Sequence, residues 1–337
     1  MARCTTSTPP NRGARDAKDS PVTDLIAERP LVARGSPFDL GDDDVYRRWR
    51  AHKLATRAQR AEDLIVDVAD PEVLSAAERE AILRRCATWN MAIYRLPRDA
   101  ADPAAALRVR CAQLGLKSLD ANWLADDDGL SSIAVRPADA APGVDAHGAY
   151  IPYTDRAIRW HTDGYYHEAG RRIRAMVLHG VRPAAAGGVN ALLDHELAYI
   201  ALRDASPRWV RALMADDAMT IPERRAVDGS VRAAQSGPVF SVDPGDGCLH
   251  MRYTARTRSI EWKDDAPTRE AASFLEQLLN GQNPQVLRLR LEAGMGLVCH
   301  NVLHDRTAFT DDPARPRLLL RARFLDRVAA PTRGLGS

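Results

Sequence analysis

"GMGLVCHNVLHDRTAFTDDPARPRLLLRARFLD", residues 294–326, consists of short apolar runs broken by Gly, Pro and Asp. Runs of this length bounded by turn formers read as strands. In the last run Arg317, Leu319, Arg321 and Arg323 fall on one face, and Leu318, Leu320, Ala322 and Phe324 on the other. Side chains on a strand point to opposite sides in turn. The arginine face therefore either looks into solvent or holds anions. The same texture begins near residue 130. "SSIAVRP", "RIRAMVLHGVRP", "GGVNALLD" and "QVLRLRLEAGMGLVCHNVLH" are further β-like runs. The helical stretches "HELAYIALRD", "SPRWVRALMA" and "PTREAASFLEQLLN" lie among them.

Before residue 130 the pattern is more helical. "DDDVYRRWRAHKLATRAQRAEDL" is a charged helix with acids at its positive end. "LIVDVAD" and "MAIYRLP" are strands. Between them "SAAEREAILRRCATWN" opens on a capping box, Ser75 to Glu78. "DPAAALRVRCAQLGL" has Asp102 as N-cap and Pro103 at the first helical position. Early helices followed by many short strands predict a mainly β fold with helices. The expected core is a double-stranded β-helix (jelly roll), flanked by α-helices and carrying helical insertions. A doubly wound sheet is disfavoured, because strict strand–helix alternation and a GxGxxG turn are missing. The expected organisation is a disordered tail over 1–20, an extended and helical lead-in over 21–89 packed on the core, and a jelly-roll domain over 90–330.

Composition narrows the function. The 337 residues are 45% hydrophobic and 27% charged, with a formal net charge of +2. That is enough apolar material for a sizeable core, and too balanced a charge for a nucleic-acid binder or a membrane-surface protein. The start of the chain lacks the apolar stretch of a secretory signal. Five scattered cysteines without a CxxC pair suggest reduced thiols in the cytoplasm. The early charged helix offers a surface for a homo-oligomer.

Chemistry concentrates in "WHTDGYYH", residues 160–167. His161 and Asp163 share one face of an extended segment, which suits two adjacent ligands of one metal ion. A second histidine from a distant strand would complete the two-His, one-carboxylate set of non-heme Fe(II) oxygenases. His300 and His304 are the candidates. Their H-x3-H spacing would also suit zinc on a helix, but the segment does not read as helical and lacks an HExxH glutamate. The choice between His300 and His304 turns on the arginines that follow. An Fe(II) oxygenase of this type also needs 2-oxoglutarate, whose far carboxylate calls for a cation. Arg317 is thirteen residues beyond His304 and has the planar fork that pairs with a carboxylate.

These pieces together resemble the Fe(II)/2-oxoglutarate dioxygenases of the TauD/TfdA type, the taurine dioxygenase and γ-butyrobetaine hydroxylase family. "WHTDGYY" is similar to the family's first metal motif, "GGVNALLD" to its Gly-Gly turn, "NVLHDRTAF" to the distal histidine motif, and "RPRLLLRARF" to the arginine strand. They keep the family's order and spacing over about residues 90–326. The resemblance implies that His161, Asp163 and His304 hold Fe(2+) and are catalytic. It implies that Arg317 and Asn190 contact the co-substrate 2-oxoglutarate. Arg321 falls where sulfonate-handling members meet an anionic group. Related halogenases lack the carboxylate, so Asp163 favours hydroxylation.

Simpler roles fit other residues. His300 and His167 read as neighbours of the site, His179 and His250 as core or edge histidines, and Asp194 as a helix N-cap. Tyr165 and Tyr166 either pack in the core or line a substrate pocket. "MRYTARTRSIEW", with Tyr253, Arg256 and Arg258, either contacts substrate or forms a solvated edge strand. The expected function is hydroxylation of a small polar or anionic metabolite by O2, releasing succinate and CO2, with no nucleic-acid or membrane partner. The alternatives are a zinc hydrolase using the same His/Asp cluster and a non-catalytic jelly-roll binding protein.

Overall fold

Most strands that carry the site pair with partners distant in sequence. The computed structural model describes Met1 and residues 35–120, 129–135, 151–225, 231–256 and 260–331. The tail expected over 1–20 lies outside them apart from Met1, as does Arg258. All elements named below belong to the unit Val32–Ser337. The strands are β1 (Ile65–Asp67), β2 (Met91–Arg95), β3 (Ser131–Ile133), β4 (Ile158–His161), β5 (Ala175–Arg182), β6 (Asn190–Leu193), β7 (Leu287–Leu289), β8 (Met295–Cys299), β9 (Leu303–Arg306) and β10 (Leu318–Phe324). A large sheet runs β1-β2-β8-β5-β10-β3 and a small one β7-β6-β9-β4. The β1–β2 pair is parallel. The other pairs in the two sheets are antiparallel.

Period-two alternation explains the layering. On one face of the large sheet Ala92, Tyr94, Val177, Val298, Leu320 and Ala322 pack with Ile82, Leu83, Leu107 and Cys111. These last four belong to helices α2 (Ala76–Trp89) and α3 (Pro103–Gln113). On the other face Met91, Ile93, Met176, Leu297 and Cys299 meet Leu192 and Leu287 of the small sheet. The small sheet's outer residues Ala191, Leu193 and Leu303 pack with three more helical stretches, His195–Ala205, Pro207–Leu213 and Ala266–Asn280. The order is helices, sheet, sheet, helices. This mixed, sheet-rich architecture agrees with the mainly β expectation. Truncating a buried inter-sheet residue such as Leu297 would cost about 2–5 kcal/mol.

Local signals in the early chain are realised. Ser75 Oγ accepts from Glu78 N at 3.3 Å while Ser75 N donates to Glu78 Oε2 at 2.7 Å. Asp102 caps α3, with Pro103 at its start. The first helix, Asp43–Thr56, is shorter than its charge pattern suggested. Arg57 is extended (φ −59°, ψ 147°), and Ala61–Leu64 forms only a 3-10 turn. Both faces of β10 are buried. Solvent therefore does not claim the arginine face: Arg317 and Arg323 are each 4% exposed.

Candidate active site

Two turns bring the polar residues together. After β4 the chain reverses at Gly164 (φ +66°), where a Cβ would meet Ile173 Cγ1 at 2.4 Å. The turn before β6 uses Gly187 (φ +76°), whose Cβ would meet the Ala308 carbonyl at 2.4 Å. Only glycine takes up such backbone cheaply. In the small sheet His304 stands opposite His161, with a register irregularity beside it. Their rings lie 4.1 Å apart, centroid to centroid. Asp163 Oδ1 is 3.9 Å from His161 Nε2. Ligand atoms of His161, Asp163 and His304 all fall within 4.8 Å of one another, the one such cluster among the described residues.

The surrounding bonds suit an ion. His161 Nδ1 lies 2.9 Å from the Arg159 carbonyl, and His304 Nδ1 lies 2.9 Å from the Val302 carbonyl. A carbonyl only accepts, so each Nδ1 carries the proton and each Nε2 keeps its lone pair. Burial, with His304 close by, pushes the His161 pKa down to about 3, so the imidazole stays neutral. Burial would raise the Asp163 pKa, but Arg321 and Arg323 outweigh it and hold the carboxyl well below the usual range. Asp163 Oδ2 is buried without a hydrogen-bond partner. Two free imidazole nitrogens and an orphaned carboxylate oxygen make a donor set that a divalent cation would satisfy.

A cleft between the sheets leads away from these residues. It encloses about 470 Å³, part of it open to solvent, and Met176, Leu178, Asn190, Leu319, Arg306 and Arg317 help to line it. The Arg317 and Arg306 guanidiniums both lie over the Phe309 ring, at 4.9 and 4.8 Å. Neither has an ion-pair partner among the described residues. Burial pushes the Arg317 pKa down to about 10. Burial, with Arg317 adding to it, pushes Arg306 down to about 9. The Asp311 and Asp155 carboxylates offset part of this charge, but without an ion-pair contact the two crowded cations still favour an incoming anion. Arg321 also lines the cleft and donates to Asp163 Oδ1 at 3.3 Å.

The chain belongs to the TauD/TfdA family. The family profile described as "Taurine catabolism dioxygenase TauD, TfdA family" matches residues 123–323, which carry all the groups above. A uridine-5'-phosphate dioxygenase from Streptomyces is 35% identical over 185 residues. The match covers 53% of this chain and 66% of that protein, just under two thirds of its length. A taurine dioxygenase from Burkholderia xenovorans matches in fold with a TM-score of 0.51 and 20% identity, over 77% of this chain and 87% of its own. The non-heme iron oxygenase OrfP, solved with Fe, succinate and (3S)-hydroxy-L-Arg, has a TM-score of 0.53 and 15% identity, over 75% and 80%. At these identities the two structures attest the TauD-type fold alone.

Within this family fold, the residues singled out from sequence take several places. His161, His304, Asn190, Arg317 and Arg321 line the cleft, and Asp163 adjoins it through the two histidines and Arg321. Tyr165 and Tyr166 are not among its lining residues. Tyr166 packs edge-on to Tyr165, 5.2 Å between centroids, and its hydroxyl meets Arg323 Nη1 at 3.0 Å. His300 points elsewhere, with Nδ1 3.0 Å from Asn90 Oδ1. Asp194 caps its helix and also takes Lys53 at 2.7 Å and Asn90 at 2.9 Å. His179 is buried between Tyr94 and Asp99.

Sequence reasoning missed Arg306 and Asn301. Arg306 donates to the carbonyls of Thr154 (2.8 Å) and Arg156, fixing the segment behind the cleft. Asn301, at φ +52°, receives the Asp163 N–H at 2.7 Å and donates to the Asp163 and Ile173 carbonyls at 2.9 and 2.8 Å. It clamps the backbone of the carboxylate residue. The available signal was an Asn, the non-glycine residue most tolerant of left-handed backbone, in the short turn between β8 and β9.

Proposed function

We propose that this protein is an Fe(II)- and 2-oxoglutarate-dependent dioxygenase that hydroxylates a small anionic metabolite. In this reading the two sheets are the faces of a double-stranded β-helix over 90–330, the segment 21–89 packs on it, and the enzyme works in the cytoplasm. Cys86, Cys111, Cys248 and Cys299 are free thiols, in keeping with a reducing compartment. No helix among the described residues is long and apolar enough to cross a membrane. A nucleoside 5'-phosphate is the first substrate to try, because the Streptomyces relative acts, by its name, on uridine-5'-phosphate.

The observation that carries the reading is one cleft with two complementary deficits. At one end Asp163 Oδ2 is buried without a hydrogen-bond partner, beside two histidines whose Nδ1 protons are committed to carbonyls. At the other Arg317 and Arg306 make no ion-pair contact among the described residues. An iron ion and a dicarboxylate would satisfy both at once. His161, Asp163 and His304 would hold the iron, which with O2 supplies the oxidation. The balance is 2-oxoglutarate, O2 and R–H giving succinate, CO2 and R–OH. Arg317 would receive the far carboxylate in a charge-assisted, two-pronged contact, with Asn190 beside it. Arg306 would hold the Thr154–Arg156 segment and add to the positive field. Met176, Leu178 and Leu319 would keep the space between them dry, which strengthens each charge interaction.

The test is succinate release. It should require both Fe(II) and 2-oxoglutarate, and Asp163→Ala should cut it by at least a hundredfold with loss of stoichiometric metal. Zinc-supported hydrolysis without 2-oxoglutarate consumption would replace this reading with the hydrolase. Undiminished turnover in Asp163→Ala would remove the carboxylate from the ligand set.

A further inference from the structure

Beside the iron-binding row, a third segment extends the small sheet. Thr162 N donates to the Tyr253 carbonyl at 3.0 Å and Ala255 N to the Trp160 carbonyl at 2.8 Å. These bonds bracket His161 and Thr254 as a pair not bonded to each other, the antiparallel spacing at which facing side chains come closest. His304, His161 and Thr254 thus form one row across three neighbouring segments. Arg256 follows two residues beyond Thr254.

Tyr165 stands against this edge. Its side chain hydrogen-bonds to Thr254, and the positive charges of Arg256 and, more weakly, Arg232 act on its hydroxyl. Its carbonyl is fixed by Arg252 Nε at 2.8 Å. Arg252 spends its other donors on the carbonyls of Met219, Gly237 and Gln235 at 2.9, 3.1 and 2.7 Å, so it has a structural task. Arg232 and Arg256 do not. Arg232 lies 5.4 Å over the Tyr166 ring, makes one long bond to the Pro222 carbonyl at 3.3 Å, and leaves a buried Nε without a partner. Among the described residues neither Arg232 nor Arg256 has a carboxylate in ion-pair contact. The co-substrate end of the cleft has its own cations in Arg317 and Arg306, and Arg321 is engaged with Asp163. Arg232 and Arg256 are therefore left for another anion.

We propose that Arg232 and Arg256, set about Tyr165 at the edge of the small sheet, bind the phosphate monoester of the substrate. Two guanidinium forks with the hydroxyls of Tyr165 and Thr254 suit a dianion better than a single carboxylate, since each fork can take two oxygens. The subsite adjoins His161 through Thr254, so the remainder of a phosphorylated substrate would extend toward the iron ligands. This inference rests on the oxygenase reading above for what happens to the bound substrate, but not for the binding itself.

Calorimetric titration of the full-length enzyme with uridine 5'-monophosphate and with uridine, with and without Mn(II) and 2-oxoglutarate, tests it. The monophosphate should bind at least tenfold more tightly than uridine. Arg232→Gln and Arg256→Gln should each weaken the monophosphate about tenfold or more, and leave uridine and 2-oxoglutarate within about threefold. Arg256→Lys should recover part of the loss, and Tyr165→Phe provides a third variant if an arginine substitution prevents folding. Equal binding of uridine and its monophosphate, or monophosphate affinity unmoved by both glutamine substitutions, overturns the proposal. If the arginine-dependent preference is present but Fe(II) and 2-oxoglutarate yield no succinate, the oxygenase reading falls and the subsite stands.

Discussion

Arg317 and Arg323 bracket one strand, equally buried, in opposite electrostatic surroundings. Arg323 donates to Asp120 Oδ2 at 2.6 Å and to the Tyr166 hydroxyl at 3.0 Å. Despite burial, these neighbours and Asp163 push its pKa upward. Arg317 has the aromatic face of Phe309 and, among the described residues, no ion pair, and burial pushes its pKa down to about 10. The fold has closed one end of the strand and left the other open. A buried cation that carries its own counter-ion is part of the structure. One that lacks it is kept at a cost in stability, and such a cost points to a ligand.

The largest effect should come from the closed end. Arg323→Met leaves Asp120, whose side chain is fully buried, with the half-exposed Arg171 at 2.6 Å and the His167 ring at 3.9 Å. Breaking a buried pair from one side typically costs 3–5 kcal/mol, and the surviving Arg171 contact argues for the lower end, about 3 kcal/mol. Urea unfolding would measure it. Adding Asp120→Leu should restore much of the loss, because the uncompensated charge goes with it. A loss under about 1 kcal/mol would mean that the closed end is not held by this pair.

The open end should behave in reverse. Arg317→Met removes a buried cation that makes no ion-pair contact among the described residues, so the ligand-free protein should be no less stable and about 0–1 kcal/mol more so. Its apparent KM for 2-oxoglutarate should rise about 10–100-fold, the value of one or two charge-assisted bonds. Activity titrated against 2-oxoglutarate separates the two ends: Arg323→Met should leave that KM within about threefold. An unchanged KM in Arg317→Met would return Arg317 to a structural role.

The same contrast sets how far the sequence could be read. His161, Asp163, His304 and Arg317 were legible because ligand chemistry restricts residue type and strand alternation restricts direction. The alternation of β10 also placed Arg317, Leu319 and Arg321 together in advance. What alternation could not supply was the other side of each contact. Asp120 reaches Arg323 across 203 residues. Asn301 acts through a left-handed turn, and Arg306 through carbonyls of a non-repetitive segment. Their partners are backbone groups or distant side chains, and local periodicity carries no information about either. The end of the first helix was misjudged for a related reason: charge pattern continues through Arg57, but the backbone does not.

The smallest predicted effect sharpens the comparison most. Tyr166→Phe deletes one hydroxyl and keeps the ring that packs against Tyr165 and under Arg232. Arg323 would keep Asp120 and lose only the 3.0 Å contact. A hydrogen bond to a charged group is worth about 1.5–3 kcal/mol when fully buried. Tyr166 is only partly buried, so water can take the vacated place and about 1 kcal/mol is expected. The midpoint of urea unfolding should fall accordingly, with the KM for 2-oxoglutarate unchanged. If Tyr166→Phe instead raised that KM while stability held, the closed end would be coupled to the cleft through Asp163, which both Arg323 and Arg321 influence. The two ends of the strand would then be one site, and the division drawn between them would fail.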